Sequence, residues 1–153
     1  MEHDYYMRSA LHEAQKALKE GEVPVGALII NKTGTVLGRG YNRVESLKDA
    51  SAHAEIIALG AASSSQDDWR LTECTLYVTL EPCLMCLAAL VLARIQTIVY
   101  GCADPRAGAI ESFFYRQEIE RSYRYFPQVV SGVLKEECST QLSAFFKKIR
   151  EKK

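Results

Sequence analysis

The sequence predicts an α/β fold, and three patterns carry the prediction. Apolar residues near the amino terminus recur at the spacing of one helix face. Two extended runs then flank a short glycine-containing turn, the pattern of a β-hairpin. Further on, a strand-like run, a proline, an apolar helical stretch and a second strand-like run follow one another between positions 75 and 101. Two strands joined by a helix in this way pair in parallel through a right-handed crossover.

The first helix rests on Met7, Leu11, Ala14 and Leu18, with Asp4 as cap and Gly21 as stop. Val25 to Asn31 and Thr35 to Tyr41 form the hairpin around Lys32-Thr33-Gly34. A second helix is expected to begin near Ser51 to His53 and to fade in the polar run Ser63 to Asp68. Thr75 to Leu80 is rich in strand formers and ends just before Pro82, a residue suited to the first turn of a helix. The third helix, Cys83 to about Arg94, is apolar nearly all round and is expected to be buried, and Thr97 to Gly101 returns as a strand. Ala103 to Pro127, with Gly108 and the Phe113-Phe114-Tyr115 cluster, is expected to hold a short helix and an active-site loop. Gln128 to Gly132 is the expected last strand, and Cys138, Leu142, Phe145 and Ile149 mark one face of a terminal helix with a basic tail.

With 153 residues, 48% of them hydrophobic and 25% charged, the chain fits a single domain, 1–153, with a core of useful size. No apolar run approaches the roughly 20 residues needed to span a bilayer, and Met1 to Arg8 is unlike a secretory leader, so a cytoplasmic protein with no membrane partner is expected. Nineteen basic against nineteen acidic side chains argue against a protein held to nucleic acid mainly by bulk charge, and leave room for a local basic face. The five cysteines, Cys74, Cys83, Cys86, Cys102 and Cys138, are an odd number, which argues against a disulfide framework. Cys74 and Cys138 read as small core residues, and His3 and His12 as surface residues on or near the first helix.

The chemistry is concentrated in His53-Ala54-Glu55 and Pro82-Cys83-Leu84-Met85-Cys86. His53, Cys83 and Cys86 supply three zinc ligands, which leaves a tetrahedral ion one open position, the makeup of a catalytic rather than a closed structural site. Cys83 and Cys86 are three apart, so they project from one helix face, where the helix dipole favours thiolate. Taken alone, that pair fits a structural metal or a reactive dithiol as well as catalysis; His53 and Glu55 in order favour catalysis. Zinc lowers the pKa of bound water to about 7. Glu55 is then the candidate proton shuttle, although two residues of helix would set it roughly 200° around the axis from His53. Cys102 is a further but weaker candidate ligand.

His-x-Glu followed by Pro-Cys-x-x-Cys is the signature of the zinc nucleobase deaminases. With Thr79-Leu80-Glu81 before it, the chain resembles the bacterial tRNA-specific adenosine deaminases of the cytidine deaminase superfamily. Gly21-Glu22-Val23-Pro24-Val25-Gly26-Ala27, Tyr41-Asn42, Asp104-Pro105-Arg106-Ala107-Gly108-Ala109, Gly132-Val133-Leu134 and Phe145-Phe146 resemble blocks of that family in the family's order. The resemblance implies a three-layer α/β/α cytidine-deaminase-like fold with a mixed five-stranded sheet, one zinc ion per subunit and a homodimer. It implies conversion of adenosine to inosine at the wobble position of a tRNA anticodon stem-loop. It further implies that Asn42 hydrogen-bonds the flipped nucleoside, that Glu22 and Val23 help form the base pocket and that Asp104 lies near the RNA backbone. Pro24, Arg106 and Phe145 complete the substrate-binding set expected from it. An unpaired anticodon loop presents unstacked bases, so pocket shape and stacking share the work with phosphate contacts. Lys147, Lys148, Arg150, Lys152 and Lys153 are placed to meet phosphates, with a solubilising tail the equal alternative for the last two.

Two departures from the family pattern stand out. Ala88 occupies a position usually taken by a small residue, often glycine. The segment Glu111 to Pro127 lacks the expected Gly-Ser pair and Leu-Asn-His block, and Arg121, Tyr123, Arg124 and Tyr125 are the candidates to replace them by charge and stacking. Two alternatives accompany the leading reading. One is a deaminase of a free base or nucleoside of guanine or cytosine type; the other is a non-catalytic, zinc-stabilised RNA-binding module.

Overall fold

The computed structural model describes residues 2–152, so Lys153 lies outside the described residues. Its elements run α1 (Glu2–Lys19), β1 (Gly26–Ile30), β2 (Val36–Tyr41), α2 (Val44–Leu47), α3 (Ala54–Gln66), β3 (Thr75–Leu80), α4 (Leu84–Leu92), β4 (Thr97–Cys102), α5 (Arg116–Tyr123), β5 (Gln128–Val130) and α6 (Lys135–Glu151). The five strands form one mixed sheet in the order β2-β1-β3-β4-β5. β1 is antiparallel to both β2 and β3, whereas β3, β4 and β5 are mutually parallel.

Alternation along the central strands divides the core in two. Ala27, Ile29, Leu76, Val78, Ile98 and Tyr100 face α3, α4 and α5 together with Ala58, Leu87, Leu90 and Ile119. Leu28, Ile30, Tyr77 and Val99 face α1 and α6 through Met7, Ala10 and Cys138. The result is the expected three-layer α/β/α arrangement. Among the described residues, no helix is long and apolar enough to cross a membrane.

Close backbone approach registers the helices that matter for the site. Ala54, Ala58 and Ala62 recur every fourth residue on α3 and are fully buried against β2. A Cβ on Gly38 would lie 2.5 Å from the Ala58 carbonyl oxygen, and one on Gly40 would lie 2.4 Å from that of Ala54. These contacts hold α3 flush on the sheet and fix where its amino terminus emerges.

Several elements differ from expectation in informative ways. The first helix starts at Glu2, so Asp4 sits in its first turn instead of capping it, where its charge still suits the dipole. Gly21 does end that helix: its φ is +77°, its amide bonds Leu18, and the Glu22 amide bonds Ala17, closing a Schellman motif. His3 is half-buried, with Nδ1 2.7 Å from the Tyr77 hydroxyl. Pro82 precedes α4 and does not lie in its first turn, because Cys83 is the N-cap. α4 is not buried all round either: Leu84, Met85 and Leu92 are 43%, 39% and 53% exposed. The short α2 has no signal in the sequence pattern, and the last strand is confined to Gln128–Val130.

Candidate active site

One end of the sheet gathers the chemistry. β3 runs into Pro82 and Cys83, β4 into Asp104, and β2 into Asn42, while β1 begins just after Val23 and Pro24. α3 and α4 both start there, with His53 and Cys83 as their N-caps. Loops at the carboxyl ends of parallel strands are the usual ligand-binding edge of open α/β sheets.

His53 has extended backbone angles, φ −75° and ψ 154°, and is therefore outside the helical repeat. That removes the angular conflict with Glu55, which lies inside the first turn of α3. His53 Nδ1 lies 3.6 Å from Cys83 Sγ and 3.5 Å from Cys86 Sγ, and the three donor atoms lie within 4.8 Å of one another. With Zn–S near 2.3 Å and Zn–N of about 2.0–2.1 Å, tetrahedral angles space nitrogen and sulfur about 3.5–3.6 Å apart. The donor set therefore fits zinc in both chemistry and spacing. Cys102 stands outside it, with its thiol 3.6 Å from the Thr79 carbonyl oxygen, and Cys74 and Cys138 are buried core residues, as expected.

The cluster holds its protons unevenly. Hydrogen bonding from Cys86, reinforced by His53 against the opposing effect of burial, holds the Cys83 thiol down to about 4. The bond to Cys83, together with burial, raises Cys86, and the hydrogen bond to Cys83 raises His53. Glu55 is 4% exposed, and burial, helped by the charge on Cys83, lifts its carboxyl to about 7. A carboxyl at that value both gives and takes a proton near neutral pH.

The ligands open onto a cavity of about 460 Å³. Glu22, Val23, Asn42, Asp104, Arg106 and Phe145 line it beside His53, Glu55 and Cys83. Pro24 does not line it; it is buried at the centre of a tight turn closed by the 2.9 Å bond from the Val25 amide to the Val23 carbonyl. The Asn42 amide donates to the Val23 carbonyl at 3.3 Å and its oxygen accepts from the Val44 amide at 3.4 Å, which orients the side chain at the cavity wall. The Glu22 carboxylate accepts the Glu45 and Ser46 amides at 3.1 and 2.7 Å and so holds α2 in place as part of the wall.

A second cavity of about 510 Å³ adjoins the first, between the 103–106 loop and α6, with Arg150 on its rim. Arg106 and Phe146 line both, and the guanidinium carbon of Arg106 stands 5.4 Å from the Phe146 ring centroid. Glu81 and Phe146 stand in family-like blocks of the sequence without an assigned role, and α2 has no signal there. For Glu81 the available signal was a charged residue directly after a buried strand and before Pro82-Cys83.

Arg121, Tyr123, Arg124 and Tyr125 are not brought to this site. The Tyr125 hydroxyl donates to the Ile95 carbonyl at 2.6 Å, and Arg94 donates to the Tyr123 carbonyl at 3.3 Å. That is the far end of α4, roughly 15 Å along the helix from Cys83 at 1.5 Å per residue. The Tyr123–Tyr125 part of the altered segment therefore packs at the opposite end of the sheet, whereas Glu111 and Ser112 stay beside Glu81.

The zinc-binding region of cytidine and deoxycytidylate deaminases matches residues 1–102. The chain belongs to that family. Its relatives include the tRNA-specific adenosine deaminase of Bacillus subtilis (strain 168), 44% identical over 151 residues, which are 98% of this chain and 92% of the relative. The tRNA-specific adenosine deaminase of Haemophilus influenzae is 45% identical over 147 residues, covering 96% of this deaminase and 84% of the relative. A solved structure from studies of A-to-I editing by tRNA:A34 deaminases at the wobble position of transfer RNA matches with a TM-score of 0.84 at 40% identity, over 90% of this chain and 99% of that one. The fold of this deaminase is thus the cytidine-deaminase-like fold, and its family is one of zinc-dependent enzymes.

Proposed function

We propose that this deaminase converts adenosine to inosine at the wobble position of a tRNA anticodon. The observation that carries the reading is the buried Glu55 carboxyl beside the His53, Cys83 and Cys86 donors, at the inner end of a cavity walled by Asn42 and Val23. Similarity over nearly the whole chain to tRNA-specific adenosine deaminases supports RNA over a free base as substrate. The intact Glu55 speaks against a non-catalytic module, since a structural metal has no use for that carboxyl.

His53, Cys83 and Cys86 hold one zinc ion per subunit. Zinc bound there supplies activation of water at neutral pH. Glu55 takes a proton from the attacking water and passes it to the adenine ring nitrogen; it then takes the proton of the new hydroxyl on the ring carbon and passes it to the amino group, which leaves as ammonia. Asn42 offers both a donor and an acceptor to the flipped nucleoside, and Val23 packs against the base. Asp104, Arg106 and Phe145 stand at the mouth, where the flanking RNA enters.

The enzyme is cytoplasmic and works as a homodimer in this reading. Exposed Leu84, Met85 and Leu92 on α4, with Phe113 and Phe114, offer an apolar face that a second copy would cover. The deciding experiment is inosine formation in a synthetic anticodon stem-loop with adenosine at the wobble position, with zinc content measured on the same sample. Turnover of the stem-loop and none of free guanine or cytosine is the expected result; the reverse preference would overturn the reading.

A further inference from the structure

Glu81 is 2% exposed and sits between the last strand residue, Leu80, and the Pro82-Cys83 junction. Its carboxylate is saturated by one segment of chain. Oε1 accepts the Asp104 amide at 2.9 Å and the Ser112 hydroxyl at 2.6 Å. Oε2 accepts the amides of Ile110, Glu111 and Ser112 at 2.9, 2.8 and 3.0 Å. The 104–112 loop has no helix or strand of its own to satisfy these donors, so a single side chain does the work of a ladder.

Gly108 makes the fit close: a Cβ there would stand 2.2 Å from the Glu81 carboxyl carbon. The same loop bridges to Cys83 through Gly108, and its Ala109 amide donates to the Pro82 carbonyl at 2.9 Å. At its other end Asp104 turns the chain, its Oδ1 accepting the Arg106 and Ala107 amides at 3.1 and 3.3 Å. Arg106 then reaches the Phe146 ring. A continuous set of contacts therefore runs from Glu81 to the lip of the cavity and across to α6.

We propose that Glu81 is a positioning residue for the substrate. Its carboxylate locks the loop bearing Asp104 and Arg106 at a set distance from the strand end that carries Cys83. The proposal rests on the reading of the site as one for RNA. Glu81 lines the same cavity as His53 and Cys83 but spends its hydrogen bonds on the 104–112 loop, so its removal acts first on RNA capture, with zinc content and kcat reporting on the Gly108 bridge to Cys83. In Glu81→Gln an amide NH₂ faces two or three donors that previously met a carboxylate, so the loop is released with little change in volume.

The test combines steady-state kinetics on the anticodon stem-loop, zinc content, and hydrogen exchange of the 103–113 backbone. For Glu81→Gln, KM rises about tenfold or more, which is about 1.4 kcal/mol, and kcat stays within about threefold. Zinc content is retained, and the amides of Ile110, Glu111 and Ser112 exchange about tenfold faster or more while those of β3 and β4 do not. Ser112→Ala removes a single donor from a half-buried side chain and moves KM and exchange in the same direction by a smaller factor, which decides the matter if Glu81→Gln fails to fold. Unchanged loop exchange in both variants overturns the proposal, as does unchanged KM in a variant whose loop exchange has risen, or loss of kcat and zinc at constant KM. A wild-type enzyme inactive on the stem-loop would remove the RNA reading, and the exchange arm would still pass or fail alone.

Discussion

At the scale of single residues, the site depends on where helices begin. His53 is an N-cap with extended backbone, and that one conformational fact lets its imidazole and the Glu55 carboxyl converge although they are two positions apart. Glu55→Ala is expected to lower kcat by about 10²–10⁴-fold while zinc content stays at the wild-type level, read by single-turnover kinetics and metal analysis. Retained activity would assign the proton transfer elsewhere. Glu22 carries the pH prediction. Burial raises its carboxyl, but the Ser46 and Glu45 amides, the Ser46 hydroxyl and Arg43 outweigh that and leave it below the ordinary carboxylate range. A depressed folded-state pKa contributes stability that is complete above the unfolded value of about 4.3 and is lost as pH falls through the folded value. Melting curves of Glu22→Gln and wild type should therefore separate above about pH 5 and converge in acid. Curves that run parallel across that range would mean Glu22 contributes nothing through ionisation.

Among elements, α3 and its partner β2 have the tightest tolerance. Gly40→Ala drives a methyl group into the Ala54 carbonyl, one residue from His53. A destabilisation of about 1–3 kcal/mol is expected in urea unfolding, accompanied by weaker zinc retention against a chelator. Unchanged zinc retention in the folded variant would show that His53 is placed independently of the α3–β2 contact. The hairpin, the β3–α4–β4 unit and the long terminal helices were legible because their period, turn chemistry and composition act locally. α2 was not, because its four residues are held by the Glu22 carboxylate from 23 and 24 positions away. The position of residues 121–125 was not legible for a related reason: arginine and tyrosine suit RNA, but Tyr125 and Arg94 tie this stretch to the end of α4 through partners 30 and 29 positions away.

For the molecule as a whole, metal and association are coupled to stability. Stripping zinc is expected to lower the melting temperature, and free zinc at 100 times its Kd restores about 2.7 kcal/mol. His53→Ala should lose most of that response. If the exposed face of α4 joins two copies, Leu92→Asp will shift light scattering from dimer to monomer, and an unchanged mass would place the interface elsewhere. The sequence by itself determined the order of the main helices and strands and marked His53, Cys83, Cys86 and Glu55 as the candidates for metal binding and proton transfer, since hydrophobic period and donor chemistry are properties of short stretches. Only the tertiary structure decided that Cys102 stands outside the ligand set, that Pro24 supports the wall from behind, and that Arg121 and Arg124 lie away from the chemistry. It alone revealed Glu81 as the anchor of the cavity's lip. The reason is physical: which groups share a point in space depends on how strand ends, helix starts and loops are brought to one edge of the sheet by packing between residues far apart in the chain.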